Sequence, residues 1–336
     1  MFTPKFTISS KLLKDIGLIE GAKAVVESAA LLPAWEAKFK DDAEIRAVHY
    51  GTHVEGNELN LAQVKEVMEG KEIVARDRDI KEVINYRKVL EYLEKRLADS
   101  GQRLGYDEDT LRELHKLTVA GLVPPEQVGQ YRAVQVVLRD VLTGEIIHRP
   151  AVSVEVPYLM TDLFAWLNSA TAADVHPVLK AGIMHYLIVN IHPFTEGNGR
   201  VSRAMATLIL LNEGYDIRKL FSLEEYYDKN VGAYYYAIKT ADQNPDHDLT
   251  QWLEYFVEGV AIEFSRVKDQ VQHLSVDLKL KAQAGGQVFL NPRQIKIVEQ
   301  IENVGYLANQ QFKDLLPMVS EDTVLRDLND LMDKKI

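Results

Sequence analysis

The sequence predicts a mainly α-helical fold carrying one small β-hairpin, on three observations. Apolar residues recur every three or four positions through most of the chain, as a buried helical stripe requires. Only one stretch, Val134 to His148, combines β-branched residues with a turn pair, Thr143-Gly144. No repeats or low-complexity tracts interrupt the pattern, and the composition, 46% hydrophobic and 26% charged over 336 residues, is that of ordinary globular material.

Residues from about Lys11 to Lys40 predict two helices with a break at Pro33. Ile45, Val48, Thr52 and Glu55 then step by three, four and three, which puts all four on one helical face. A carboxylate on a docking face needs a cation or donors opposite it, so Glu55 either meets a positive partner or is a surface acid of the last turn. Gly56-Asn57 ends this helix, and Asn60 with Gln63 has the spacing of a capping box for the next, through Val64, Val67 and Met68. Asp77 to Leu97 predicts a charged amphipathic helix with Val83, Ile84, Val89, Leu90 and Leu93 inward, stopped at Asp99-Ser100-Gly101. Asp107 to Val119 is another, ending at Gly121 and Pro124-Pro125.

Gly129-Gln130-Tyr131-Arg132 leads into the hairpin, with Val134, Val136 and Val137 in one strand and Glu145 to His148 in the other. Two strands alone are marginal, so the hairpin must pack on helices or take a third strand from a partner. Val154 to Asn168 is helical, with Leu159, Leu163 and Trp166. Pro177 opens a helix carrying Leu179, Ile183, Leu187 and Ile191, and a further helix carries Val201, Met205, Leu208 and Leu211. The Tyr-rich helix from Tyr226 to Asp242 must turn at least one ring of Tyr234-Tyr235-Tyr236 outward or into a cleft. Asp248 with Gln251 caps a long helix whose Trp252, Phe256, Val260, Phe264, Val267 and Val271 share a face. Ala282 to Gly286 reads as a hinge, followed by three short helices around 295–301, around 310–315 after a turn at Gly305, and from Ser320-x-x-Thr323.

Lys plus Arg number 39 against 50 Asp plus Glu, a net charge of −11 that argues against a general nucleic-acid binder. With no cysteine, disulfides and thiolate metal sites are excluded. The central apolar run, Ala204 to Leu211, is too short to span a bilayer, and the N-terminal segment MFTPKFTISSKLLKD has no export signal. A cytoplasmic, membrane-free protein is expected.

Between the two apolar helices lies His192 to Arg203, HPFTEGNGRVSR. A helix starting near Asn198 leaves the N–H groups of Gly197, Asn198, Gly199 and Arg200 free to hold an anion. Glu196 can hold Mg²⁺ against phosphate oxygens, and Arg200 and Arg203, opposite Val201, Met205 and Leu208, can clamp phosphate charge without disturbing the core. His192 can take a proton from an attacking hydroxyl, while Phe194 anchors the loop. Each residue alone has a plainer structural reading; within twelve residues they point together to phosphate chemistry.

The same stretch resembles the Fic family signature, His-x-Phe-x-(Asp/Glu)-Gly-Asn-(Gly/Lys)-Arg-x-x-Arg, at every defined position. Gly129-x-Tyr131-Arg132 with the hairpin resembles the family's flap, and Tyr234-Tyr235 its tyrosine pair. The resemblance implies a Fic-type helical core and transfer of AMP from ATP to a Ser, Thr or Tyr hydroxyl of a target protein docked on the flap, or of the enzyme itself. It implies His192 as general base, Glu196 on Mg²⁺, and nucleotide binding by Gly197, Asn198, Gly199, Arg200, Val201, Ser202 and Arg203, the last on the γ-phosphate, with Tyr235 on the adenosine side. Glycine at 199, where some relatives carry lysine, favours adenylyl transfer over kinase-like use. One class of the family has an inhibitory helix with (Ser/Thr)-x-x-x-Glu-(Gly/Asn), whose glutamate pairs with the second motif arginine. Glu55-Gly56 fits that pattern; Gly51 stands where Ser or Thr is expected.

The layout implied is an N-terminal helical region at 1–100 with the inhibitory helix at about 41–56, and a catalytic core at 101–265 with the flap at about 131–150. A helix extension and hinge follow at 266–286, and then a unit at 287–336 that resembles a winged helix through Arg293-Gln294 and Thr323-x-x-Arg326-Asp327-Leu328. Glu321, Asp322, Asp327, Asp330 and Asp333 argue against DNA there and favour protein docking or a homodimer. Two other readings are a catalytically silent DNA-binding regulator and a hydrolase that removes AMP, with Glu55 positioning water.

Overall fold

A computed structural model describes residues 3–29, 33–100, 104–139, 144, 146–217, 220–283, 290–304, 307–308, 311–317 and 319–333. Thr143 and Glu145 of the hairpin, 284–286 of the hinge, Gly305 and Gln310 lie outside them. The chain divides into two compact units, 1–269 and 270–336. The fold is mainly α, as the spacing predicts.

The first unit runs α1 (Ser10–Ser28), α2 (Pro33–His53), α3 (Leu61–Met68), α4 (Asp77–Ser100), α5 (Glu108–Val119), β1 (Leu138–Arg139), β2 (Ile146–His148) and α6 (Val156–Leu167). It continues with α7 (Ala170–Ala173), α8 (Pro177–Ile191), α9 (Asn198–Asn212), α10 (Glu224–Lys229), α11 (Val231–Asp242) and α12 (Thr250–Gln283), whose residues from Gln270 on belong to the second unit. Its centre is the pair α8 and α9. Every residue of α8 from Val178 to Ile188 is buried, which is what an all-round apolar sequence requires. Pro177 at its first turn, with the His176 side chain accepting from the Val178 N–H at 3.3 Å, fixes where it starts. The stripe Trp252, Phe256, Val260, Phe264, Val267 and Val271 of α12 is wholly buried. On the other flank, α5 packs on α9 and α4, and α2 packs on α3, α4 and α10. The capping box at Asn60 and Gln63 forms in both directions, at 3.0 Å each way.

Four local expectations are corrected. The α2 helix spans Pro33–His53 rather than about 41–56, so Glu55 stands in the turn just beyond its last helical residue. Ile84 is not inward: it is 38% exposed, and Tyr86, fully buried, takes its place facing α2. The first hairpin strand is only Leu138–Arg139, paired antiparallel with β2 through Leu138 opposite His148. Val134, Val136 and Val137 precede it, because Gln135 satisfies the local backbone instead, donating to Pro150 O and accepting from Ser153 N–H. The hairpin is held to the helices by His148, whose Nδ1 bonds Asp242 and whose Nε2–H donates to Asn190 O, both at 2.9 Å. Finally, the Tyr-rich segment is two helices. Asn230, at φ −148° and ψ 76°, accepts from Ala233 N–H and so starts α11 afresh.

The second unit contains α13 (Pro292–Val304), α14 (Phe312–Leu315) and α15 (Glu321–Asp333) around Ile297, Val298, Phe312, Leu316, Val324 and Leu331. The two patterns singled out in its sequence meet: Arg293 Nε bonds Asp327 Oδ2 at 2.6 Å, and Gln294 Nε2 bonds Asp330 Oδ2 at 2.5 Å. No strand is present among the described residues of this unit.

Candidate active site

The site forms where α8 ends and α9 begins. His192 caps α8 in the left-handed region (φ 54°, ψ 61°), its N–H donating to Ile188 O at 2.9 Å. A non-glycine residue there is unusual and must be held by its surroundings. Arg132 does this. Its side chain donates to His192 O (2.7 Å), Ile191 O (3.3 Å) and Ala151 O (2.5 Å), and its N–H donates to Pro193 O (2.9 Å). A cation at a helix C-terminus satisfies orphan carbonyls and complements the dipole. The His192 ring donates from Nδ1 to Val189 O over a long 3.4 Å, which leaves Nε2 as the proton acceptor. Burial above all pushes its pKa down to about 4, so the ring is neutral at pH 7.

The loop after His192 is fixed from inside. Asn198 accepts from Phe194 N–H and donates to Phe194 O, both at 2.9 Å. Phe194 is fully buried and stacks on His115 at 3.8 Å, as the sequence led one to expect of an anchor. His115 in turn accepts from Gly129 N–H (2.9 Å) and donates from Nε2 to Glu196 O (3.1 Å). Gly197 starts α9 at φ +82°, a conformation glycine adopts without strain. The first bond within α9 is Val201 N–H to Gly197 O at 3.0 Å, so the preceding N–H groups of Asn198, Gly199 and Arg200 belong to the helix's open first turn. The Val201 and Ser202 side chains are buried, and Ser202 Oγ donates back to Gly199 O.

Arg200 and Arg203 do not lie on a solvated face. They are 3% and 2% exposed, because α9 is enclosed by α2, α4, α5 and α8. Arg203 Nη2 donates to Glu55 Oε1 and to Gly51 O, both at 2.9 Å. Burial would raise the Glu55 pKa, but Arg203, then Arg200, outweighs it and holds the carboxyl below its ordinary range. The Arg203 side chain keeps 1% of its surface and Glu55 keeps 27%, so the pair opens to solvent only on the acid's side. Gly199 makes the fit possible: a Cβ there would stand 2.1 Å from Glu55 Oε1. Gly51 serves likewise, since a Cβ would stand 2.5 Å from the Tyr86 ring, and the Tyr86 hydroxyl donates to buried Glu224 at 3.0 Å. Nε and Nη1 of both arginines are buried without a hydrogen-bond partner. These nitrogens, of which Arg200 Nη1 stands 3.6 Å from Glu82 Oε1, are donors on fixed cations that an arriving phosphate chain would satisfy.

Glu196 bonds Arg78 of α4 and lies 3.6 Å from Arg200. Among the described residues no group of three or more His, Cys, Asp or Glu could hold a metal alone. One half-open carboxylate beside an anion cradle fits Mg²⁺ all the same, an ion that keeps water and takes phosphate oxygens as further ligands. Tyr234 is buried and bonds His185 Nε2 at 2.8 Å, whereas Tyr235 is 45% exposed with its phenol pushed up to about 12 by burial, then by Glu55. Sequence reasoning brought together His192, Glu196, Arg200, Arg203 and Glu55. It missed His115, Glu82 and Arg78 and gave Arg132 only a place in the flap; His115 and Glu82 stand on inward helix faces, while Arg132 lies in the loop before the hairpin and Arg78 on an exposed helix face.

Comparison with known proteins places residues 105–210 in a match to the Fic/DOC family. A protein adenylyltransferase Fic from Drosophila virilis is 28% identical over 277 residues, 81% of this chain and 49% of that protein. Its counterpart from Drosophila ananassae is 30% identical over 202 residues, 58% of this chain and 37% of that protein. The chain thus spans less than half the length of these relatives. The crystal structure of a Fic family protein from Desulfovibrio desulfuricans G20 superposes with a TM-score of 0.70 at 25% identity, covering 99% of this chain and 92% of that one. Fic-1 from C. elegans shares the fold, with a TM-score of 0.60 at 22% identity over 80% of this chain and 74% of that one.

Proposed function

On the premise that the chain carries a Fic domain, we propose that it is a protein adenylyltransferase held inactive by Glu55. The observation that carries this reading is the pair between Arg203 and Glu55, set among unspent donors and opposite a neutral histidine. The relatives named as adenylyltransferases support the activity in general.

In this reading ATP lies with its phosphates along the first turn of α9, over Gly197, Asn198 and Gly199, with Arg200 and Arg203 on its outer phosphates. A Ser, Thr or Tyr hydroxyl of a target protein, or of the enzyme itself, approaches beside the flap. Nε2 of His192 takes the hydroxyl proton as the oxygen attacks the α-phosphorus. The bond from that phosphorus to the bridging oxygen breaks, and pyrophosphate leaves in line. Glu196 is the residue that would hold Mg²⁺, which when bound supplies charge neutralisation at the phosphates. Tyr235 closes the adenosine side.

Glu55 blocks this by occupying the cation meant for the γ-phosphate. Nucleotide then enters misaligned, and positioning is most of phosphoryl-transfer catalysis. The test is incubation with ATP and Mg²⁺ followed by mass spectrometry for added AMP. Glu55→Gly should raise incorporation by about tenfold or more, and His192→Ala on that background should abolish it. Incorporation that is the same with and without Glu55 would overturn the inhibitory reading.

A further inference from the structure

Four charges close a ring at the mouth of the cleft. Arg78, the second residue of α4, pairs with Glu196 Oε1 and bonds Glu82 Oε1 at 3.1 Å. Arg200 lies 3.6 Å from each of the same two oxygens. Two cations and two carboxylates thus alternate, and the ring is neutral. Its two cations are not equivalent. The Arg200 side chain keeps 3% of its surface and cannot leave; the Arg78 side chain keeps 54% and can swing into solvent without opening the core.

Within α4 Glu82, one turn on, favours Arg78 where it is, but the helix terminus does not. A cation in the first turn faces the positive end of the helix dipole, so the two acids hold it there. If it leaves, Glu82 and Glu196 face Arg200 alone, and one negative charge awaits a cation. Glu82 is fixed in turn by Asn57, which donates to its Oε2 at 3.0 Å, and Arg76 donates to Gly56 O at 3.3 Å. The start of α4 therefore supports the turn bearing Glu55 and the carboxylate at Glu196 together.

We propose that Arg78 is the resting counter-ion of Glu196, standing in for the divalent cation, so that Arg78 and a metal–nucleotide complex compete for one carboxylate. This rests on the nucleotide-binding reading above and assigns Arg78 a positioning role. A guanidinium there holds Glu196 in place ahead of the metal–nucleotide complex, and makes metal entry depend on its departure.

The test is calorimetric titration of Mn²⁺ into protein saturated with ATP, on the Glu55→Gly background, comparing Arg78, Arg78→Gln and Arg78→Lys. With the counter-ion gone, Mn²⁺ should bind about fivefold more tightly in Arg78→Gln, the scale of a half-exposed ion pair, and Arg78→Lys should stay near the parent. Mn²⁺ binding that is unchanged or weaker in Arg78→Gln overturns the proposal and makes Arg78 a bystander or a phosphate ligand. ATP titrated in EDTA into the same proteins separates the two readings. Loss of ATP binding by the Glu55→Gly parent under both conditions sinks the nucleotide-binding reading, and this proposal with it. Intact ATP and Mn²⁺ binding without an Arg78 effect sinks this proposal alone.

Discussion

The two walls of the cleft are built by different forces. One wall, from α8 through the loop to α9, is held by packing: Phe194 and Val201 are fully buried, and Asn198 and His115 tie the loop to neighbours on either side. The other wall, the turn at Glu55 and the start of α4, is held largely by charge: Glu55 on Arg203, Arg78 on Glu196, Arg76 on Gly56 O. Packing fixes geometry and resists change, while half-exposed ion pairs are worth little each and are readily exchanged. The residues read as chemical therefore stand on the rigid wall, and those read as regulatory stand on the wall that can be released.

The largest expected effect tests that division directly. Phe194→Ala should cost about 3–5 kcal/mol by urea denaturation, since it empties a fully buried ring site stacked on His115. Glu55→Gly should cost only about 1–2 kcal/mol, because the pair is open on the acid's side and Gly51 O still accepts from Arg203. Equal losses from the two would mean that the walls are one cooperative body.

A smaller effect concerns Gly51, where the family pattern expects Ser or Thr. The space such a side chain would take is filled by the Tyr86 ring, which reaches across from α4 to Glu224. Gly51→Ser should therefore destabilise by about 1–3 kcal/mol through overpacking, although it restores the pattern. The same change made after Tyr86→Leu should cost less, and a double-mutant cycle measures the coupling. An additive result would detach Tyr86 from the turn that bears Glu55.

How much of this was legible follows the same division. The helices of the packed wall are written in their spacing: Leu179, Ile183, Leu187 and Ile191 are all buried as predicted, and Val201, Met205 and Leu208 are too. The pairing of Glu55 with Arg203 was readable through the family resemblance, since nothing local to either residue names the other across 148 positions. The Arg78 ring was not readable, because an arginine in a charged amphipathic helix gives no sign of which acids it will meet. Burial of Arg200 and Arg203 was missed for a related reason. Helical spacing put them opposite the apolar stripe, but only the tertiary arrangement encloses that side as well. The short first strand was lost to Gln135, a side-chain alternative to the ladder that β-branched content does not reveal.

The smallest effect is one of pH, and it sharpens the comparison because the two walls titrate in opposite order to intuition. On the packed wall His115 and His192 are both pushed down to about 4 from 6.5, mainly by burial, and burial lowers His185 well below its ordinary value as well. The unfolded chain binds protons at these sites that the folded one refuses, so stability present above pH 6.5 is lost progressively as pH falls toward 4. On the charged wall Glu55 is held below its ordinary 4.5, so its contribution persists through that window and is lost only as pH falls through the lower, folded value. Thermal melts between pH 7 and pH 5 should therefore show a falling Tm while the pair between Glu55 and Arg203 stays closed. Substituting His115 by Phe, which keeps the stacking on Phe194 but not the bond to Glu196 O, should flatten part of that slope. A Tm independent of pH across this range would mean that the buried rings are not what the packed wall leans on.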